Sequence, residues 1–113
     1  MNKYYGIAEL IRIDIFTKYG KENQLIPSIR SYAKTYHVNP NTVCHALQLL
    51  EAEEFIYPYR TKGYYISEDI QNKKEIFGRK QAKLLVNTLH ELGYSNVEIQ
   101  DMVKTIIGKV GGL

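Results

Sequence analysis

The chain has 113 residues with one cysteine, Cys44, and no tryptophan. A single thiol excludes an intrachain disulfide and a cysteine metal cluster. Long apolar runs are missing too: none approaches the roughly 18 residues of a membrane-spanning helix. The opening residues, MNKYYGIAEL, interrupt their apolar positions every few residues, unlike a signal peptide. The expected location is therefore the cytoplasm, with no membrane partner. Neither sign of charge dominates, since 15 basic and 12 acidic residues leave a net +3, which by itself selects no partner. Catalytic signatures are also lacking, with no phosphate-binding G-x-x-x-x-G-K-S/T, no H-E-x-x-H and no nucleophile elbow. The three histidines, His37, His45 and His90, fall on different elements. The sequence calls for no enzyme activity, no cofactor and no metal.

What is present is a succession of short amphipathic helices. Residues 4–19 repeat apolar positions at Ile7, Leu10, Ile11 and Ile15 with Asp14 among them, and Gly20 stands where a helix stops. In the loop that follows, Asn23 is the residue best suited to a left-handed conformation. Pro27-Ser28 opens a second helix, about Ser28 to Tyr36, burying Ile29, Tyr32 and Ala33. After a tight turn at His37-Val38, Asn39 caps a third helix with Pro40 in its first position. That helix runs to about Glu53 with Val43, Ala46, Leu47 and Leu50 as its apolar stripe, leaving Asn41, Thr42, His45 and part of Cys44 outward. Two short helices joined this way form a helix-turn-helix.

The period then changes. Phe55 to Tyr59 and Tyr64 to Ser67 are aromatic or β-branched runs separated by Arg60-Thr61-Lys62-Gly63, which predicts a hairpin. Pro58 confines its strand to an edge. A polar connection, EDIQNKKE, with a partly helical course as the alternative, leads to a helix over 75–92 stopped by Gly93. Ser95 to Glu98 is a capping box for a last helix carrying Ile99, Met102, Val103, Ile106 and Ile107, and the tail GKVGGL is expected to fray. The fold class is mainly α with a small β-hairpin: a winged helix-turn-helix over 1–68 and a helical region over 69–113.

The most informative stretch is HVNPNTVCHALQLL, residues 37–50. Its helix start carries Asn39, Asn41, Thr42 and His45 within two turns and no charge. Asn pairs with adenine through two hydrogen bonds, Thr reaches a base edge or a phosphate, and exposed N–H groups at a helix start donate to a phosphate oxygen. The alternative is that these residues only cap and turn an ordinary helical protein. Basic residues cluster before the stretch at Lys18, Lys21, Arg30 and Lys34 and after it at Arg60 and Lys62, while Glu51, Glu53 and Glu54 mark the far helix end.

Across residues 7–67, IPSIRSYAKTYHVNPNTVCHALQLLEAEEFIYPYRTKGYYIS resembles the GntR family of bacterial transcriptional regulators. The shared pattern is Pro-Ser-x-Arg, then Val-Asn-x-x-Thr-Val, then a Leu-Glu turn and a basic, glycine-containing wing. The resemblance implies a winged helix that binds double-stranded operator DNA as a homodimer, without catalysis. Carried onto this chain, it makes Arg30 a DNA contact with Ser28 beside it. It sets Asn39, Asn41 and Thr42 at the start of the reading helix, with His45 one turn on. Arg60, Lys62 and Gly63 fall on the wing. Departures are Thr61 in place of a wing glycine, Glu54 in place of the glycine after the third helix, and His37 in place of a turn glycine. Cys44 and His45 stand where a longer polar residue is common. The alternative for Arg30 is an ion pair with Glu53 or Glu54.

LHELGYSNVEIQDMVKTII resembles the two-helix tail of the YtrA-type members. That likeness implies dimerisation through Phe77, Leu84, Leu85, Leu89 and Leu92, and through Ile99, Met102, Val103 and Ile106. It also suggests repression of an operon, a transporter operon among the candidates. Docking of this tail onto the chain's own first helix is the alternative. Other readings are a winged helix that binds protein instead of DNA, and a regulator with an effector pocket at the dimer interface; a small-molecule effector stays open.

Overall fold

The computed structural model describes residues 3–19, 23–60 and 63–111. Helix α1 spans Lys3–Asp14 and passes into a π-helical turn over Ile15–Tyr19; α2 is Ile29–Tyr36 and α3 is Pro40–Ala52. A two-stranded antiparallel hairpin follows, β1 Ile56–Pro58 and β2 Tyr64–Ile66, and the chain ends in α4, Ile70–Glu91, and α5, Asn96–Gly111. It divides into two compact units, residues 1–74 and 75–113.

In the first unit, α1 and α2 pack on α3, which in turn meets β1. The expected stripe of α3 is the centre of this core: Val43, Ala46, Leu47 and Leu50 are fully buried with Ile11 and Ile15 of the first helix and with Ile56 and Ile66 of the hairpin. Local chemistry sets the helix starts as expected. Ser28 Oγ accepts the Ser31 N–H at 3.1 Å and Asn39 Oδ1 accepts the Asn41 N–H at 2.8 Å, with Pro40 at a position whose N–H has no helical partner. Helix α2 ends at His37, whose left-handed backbone (φ 55°) reverses the chain into the turn. Asn23 is likewise left-handed, with φ 63°.

The hairpin pairs Ile56 with Ile66, Tyr57 with Tyr65 and Pro58 with Tyr64, so Pro58 ends its strand. A third segment joins it. The Asn23 N–H donates to Ile66 O, Ile66 N–H to Gln24 O and Ile26 N–H to Tyr64 O, and the Tyr57 hydroxyl donates to Asn23 Oδ1 at 2.8 Å. Residues 23–26 thus run as a strap along the free edge of β2 and deliver Pro27 to the start of α2.

Several expectations are corrected. The first helix does not stay regular to residue 19, since its last five residues widen to π geometry. Its buried face is Ile7, Ala8, Ile11, Arg12 and Ile15, whereas Leu10 is 44% exposed. The face is rotated because Arg12 lies inward, its guanidinium 2.5 Å from Glu53 and 5.8 Å from the centre of the Phe55 ring. Asp14 is half-buried because it accepts the Tyr36 hydroxyl. Ile29 is only half-buried. The connection EDIQNKKE takes the partly helical course held open for it, with α4 starting at Ile70. That residue is buried, and Lys73 and Lys74 donate to the carbonyls of Glu54 and Phe16. Helix α5 extends to Gly111, within the tail GKVGGL, whose last two residues lie outside the described residues.

In the second unit, Gly93 (φ 92°) ends the turn after α4. Ser95 and Glu98 form the expected reciprocal cap, each side chain accepting the other residue's N–H. The Ser95 N–H and hydroxyl hold the Glu98 carboxyl below the usual carboxylate range. Here Ile99 is the single buried side chain among the described residues.

The Arg12–Glu53 pair yields a test of the first unit. Glu53→Ala leaves a guanidinium that is 9% exposed without its carboxylate. The expected loss is about 3 kcal/mol, the low end for breaking a buried pair because Glu53 keeps part of its surface in water. Pairing Glu53→Ala with Arg12→Leu should recover much of that loss. Denaturant unfolding at fixed protein concentration measures both, and equal stability of the single and double variants would show that the pair carries no such constraint.

Candidate nucleic-acid interface

At about 100° per residue, the line of α3 directly opposite its buried stripe carries Asn41, His45 and Gln48, and all three are exposed. Thr42 and Leu49 form one shoulder, Cys44 and Glu51 the other, and these four are half-buried. No acidic residue occupies the first turn of α1, α2 or α3, so nothing cancels the partial positive charge of their N–H groups.

The Cys44 shoulder meets the hairpin. Burial raises the Tyr64 phenol above its ordinary pKa, and the nearby Glu51 carboxylate and Cys44 add to the effect. Tyr64 also lines a groove of about 310 Å³ together with Pro27, Ser28, Ile29, Arg30 and Gly63. The strap over residues 23–26 is what brings the start of α2 to the base of the wing. Arg30 is exposed and has no ion-pair partner among the described residues. Of the two carboxylates considered for it, Glu53 and Glu54, the first is paired with Arg12.

The Leu49 shoulder meets α1. Tyr4 and His45 lie edge to face with ring centres 5.7 Å apart, and Tyr5 stacks on Tyr4 at 4.5 Å. Tyr4, His45, Gln48 and Leu49 line a second, open groove of about 450 Å³.

On the wing, Arg60 is exposed, left-handed (φ 56°) and stacked over the Tyr59 ring at 5.3 Å. Gly63 has φ 112°, which a side chain rarely tolerates. Thr61 and Lys62 lie outside the described residues. The structure therefore groups Ser28, Arg30 and Gly63 in one groove, joins Asn39 to Asn41 by a hydrogen bond, and separates His45 onto the α1 side. Sequence reasoning passed over Gln48, although its seven-residue spacing from Asn41 was a sufficient signal. Tyr4 and Tyr64 gave no comparable signal, because only folding brings them beside α3.

Of the second unit's apolar residues, Leu84, Leu85, Leu92 and Ile106 are exposed, Phe77, Leu89, Met102 and Val103 are half-buried, and Ile99 is buried. The structure contains no group of three or more His, Cys, Asp or Glu side chains arranged for a metal ion among the described residues.

Comparison with known proteins adds the following. The family profile "Bacterial regulatory proteins, gntR family" matches residues 3–66. A protein of Bacillus subtilis (strain 168), the HTH-type transcriptional repressor YtrA, is 32% identical over 96 residues, covering 81% of this chain and 74% of its own length. A GntR family transcriptional regulator from Listeria monocytogenes superposes with a TM-score of 0.78 at 28% identity, covering 90% of this chain and 92% of its own. A transcriptional regulator from Oenococcus oeni gives 0.74 at 27% identity, covering 96% and 92%.

The two asparagines at the start of α3 are separable by stability. Asn39→Ala removes the cap and should cost about 1 kcal/mol, whereas Asn41→Ala, which keeps its backbone N–H on Asn39, should leave melting nearly unchanged. Thermal denaturation checks both. Equal losses would mean that the Asn41 side chain is also structural.

Proposed function

The chain belongs to the gntR family of bacterial regulatory proteins, and on that premise we propose that it is a homodimeric repressor that reads an inverted-repeat operator with α3. It is a DNA-binding transcriptional regulator with a winged helix, like its relatives, and not an enzyme. The observation that carries the finer reading is the outward line of α3. A helix used to bind protein would expose apolar groups there, but Asn41, His45 and Gln48 are polar and uncharged. In the proposed complex the first turn of α3 enters the major groove, with Asn41 and Thr42 toward base edges and Asn39 at a phosphate. Ser28 and Arg30 hold the backbone, and Arg60, Lys62 and Gly63 approach the neighbouring groove. Repression is supported by the YtrA relative, itself a transcriptional repressor. Such a regulator works where the chromosome is, in the cytoplasm; no helix among the described residues is long and apolar enough to cross a membrane.

Dimerisation is assigned to residues 69–113, beyond the winged helix of 1–68. With Leu84, Leu85, Leu92, Val97, Ile106 and Ile107 between 50% and 74% exposed, α4 and α5 leave an apolar surface of the kind that marks a protein interface. A second copy, by two-fold symmetry, would cover it and set half-sites about 34 Å apart along the DNA. Sedimentation at micromolar concentration should show a dimer that Leu85→Glu with Ile106→Glu converts to a folded monomer. A monomeric parent protein would refute the assignment.

Positioning and reading separate by salt. Arg30→Ala should weaken operator and scrambled DNA alike and reduce the slope of log affinity against log salt by about one unit. Asn41→Ala should cost roughly 1–3 kcal/mol on the operator alone, with the slope unchanged. Titrations on an operator selected from random DNA, at several salt concentrations, decide it. Equal losses on both DNAs for Asn41→Ala would move base reading away from the first turn.

A further inference from the structure

The second groove beside α3 is not used by the contacts described above. Its polar lining is His45 and Gln48, three residues apart on one helix face, and Tyr4 from α1. Residues at this spacing hold their Cβ atoms about 5–6 Å apart. An imidazole presents at least one N–H and a glutamine amide presents two, so the pair brings donors to the lining of one concavity. Among the described residues, that lining contains no carboxylate to repel an anion.

Depth decides what these donors meet. From Asn41, the rise along α3 is about 6 Å to His45 and about 10.5 Å to Gln48. The major groove is about 8.5 Å deep. A helix that enters by its first turn therefore carries Gln48 back to the rim, where sugar–phosphate lies instead of base edges. Neutral side chains commonly contact phosphate oxygens there.

We propose that His45 and Gln48 form a seat for one phosphodiester of the operator backbone, and that Tyr4 is a positioning residue that holds the His45 ring by its edge-to-face contact. The seat deepens the reading of α3 given above and rests on it. It assigns to His45 the backbone instead of a base, and it adds α1 to the DNA-binding surface. Because the Gln48 amide carries no charge, its arm of the seat contributes affinity without adding to the salt slope.

The test uses the full chain with the selected operator, a scrambled duplex, and operators carrying one methylphosphonate at a time. Gln48→Ala should bind operator and scrambled duplex about three- to tenfold more weakly, the range of one neutral hydrogen bond, with the salt slope and melting unchanged. Gln48→Glu should bind more weakly still. One methylphosphonate position should weaken the parent protein and leave Gln48→Ala unaffected. Tyr4→Leu should match His45→Ala and add nothing to it, while Tyr4→Phe, which keeps the ring, should bind as the parent does. A Gln48→Ala loss confined to the operator would overturn the proposal in favour of base reading. Parent-like binding by Gln48→Ala and Gln48→Glu would overturn it outright. Asn41→Ala distinguishes the two levels. If it keeps operator discrimination, the placement of α3 fails and the seat with it; if discrimination is lost while the Gln48 variants bind normally, the seat alone fails.

Discussion

The ion pair between Arg12 and Glu53 is the constraint on which the reading helix depends. It joins the middle of α1 to the residue that closes α3, and the guanidinium also lies over Phe55, which leads into β1. A pair of this kind contributes little net stability relative to apolar side chains of the same volume, because removing two charges from water costs nearly what their attraction returns. Its effect is on geometry. Any rotation of α3 against α1 would draw Glu53 away from a guanidinium that is held in a buried position. Apolar packing of α1 on α3 tolerates small slides; the charge pair is more exacting. The angle at which α3 presents Asn41 is thus set from the opposite end of the helix.

The wing is fixed by a second device, and that device tolerates backbone strain. Among the described residues, five non-glycine residues have positive φ: Asn23, His37, Glu54, Arg60 and Asp69. Asn and Asp tolerate this conformation best, whereas each of the others costs on the order of 1 kcal/mol. They sit at the joints of the first unit: the strap, the turn before α3, the exit from α3, the wing tip and the entry to α4. His37 and Glu54 occupy positions where the family pattern has glycine. Hydrogen bonds across the same joints offset their cost, with Val38 N–H donating to Ala33 O, Phe55 N–H to Leu50 O and Lys73 Nζ to Glu54 O. The sharp turns are kept by tertiary context, where glycine would have kept them by freedom of rotation.

What was legible in the sequence was local. A capping residue acts within three positions, so Ser28, Asn39 and the Ser95–Glu98 box could be read directly, as could the apolar stripe of α3. The winged helix followed from their order. What escaped reading acts across the chain. Arg12 occupies an apolar face of α1 only because Glu53 waits 41 residues away. The strap pairs with β2 across some forty residues of sequence. The candidate site divides in the same way. Asn41 announced itself through helix chemistry, whereas the neighbours that shape its surroundings, Tyr4 and Tyr64, come from distant segments.

These two kinds of information lead to a division of labour within the proposed complex. Asn41 and Gln48 on the outward line of α3 carry no charge, so what they contribute to the proposed complex does not fade with salt. Charge is carried by Lys18, Arg30, Lys34 and Arg60, and that part supplies long-range attraction to any duplex. The second unit adds a third term. With Ile99 as its one buried side chain among the described residues, it lacks the core that would hold α4 and α5 ordered as a separate copy. In the proposed dimer, association and ordering of these helices are one process, so occupancy of a two-fold operator depends on protein concentration more steeply than a single winged helix would require. In the proposed complex, discrimination resides in α3, attraction in the charges beside it, and cooperativity in a surface that two copies complete.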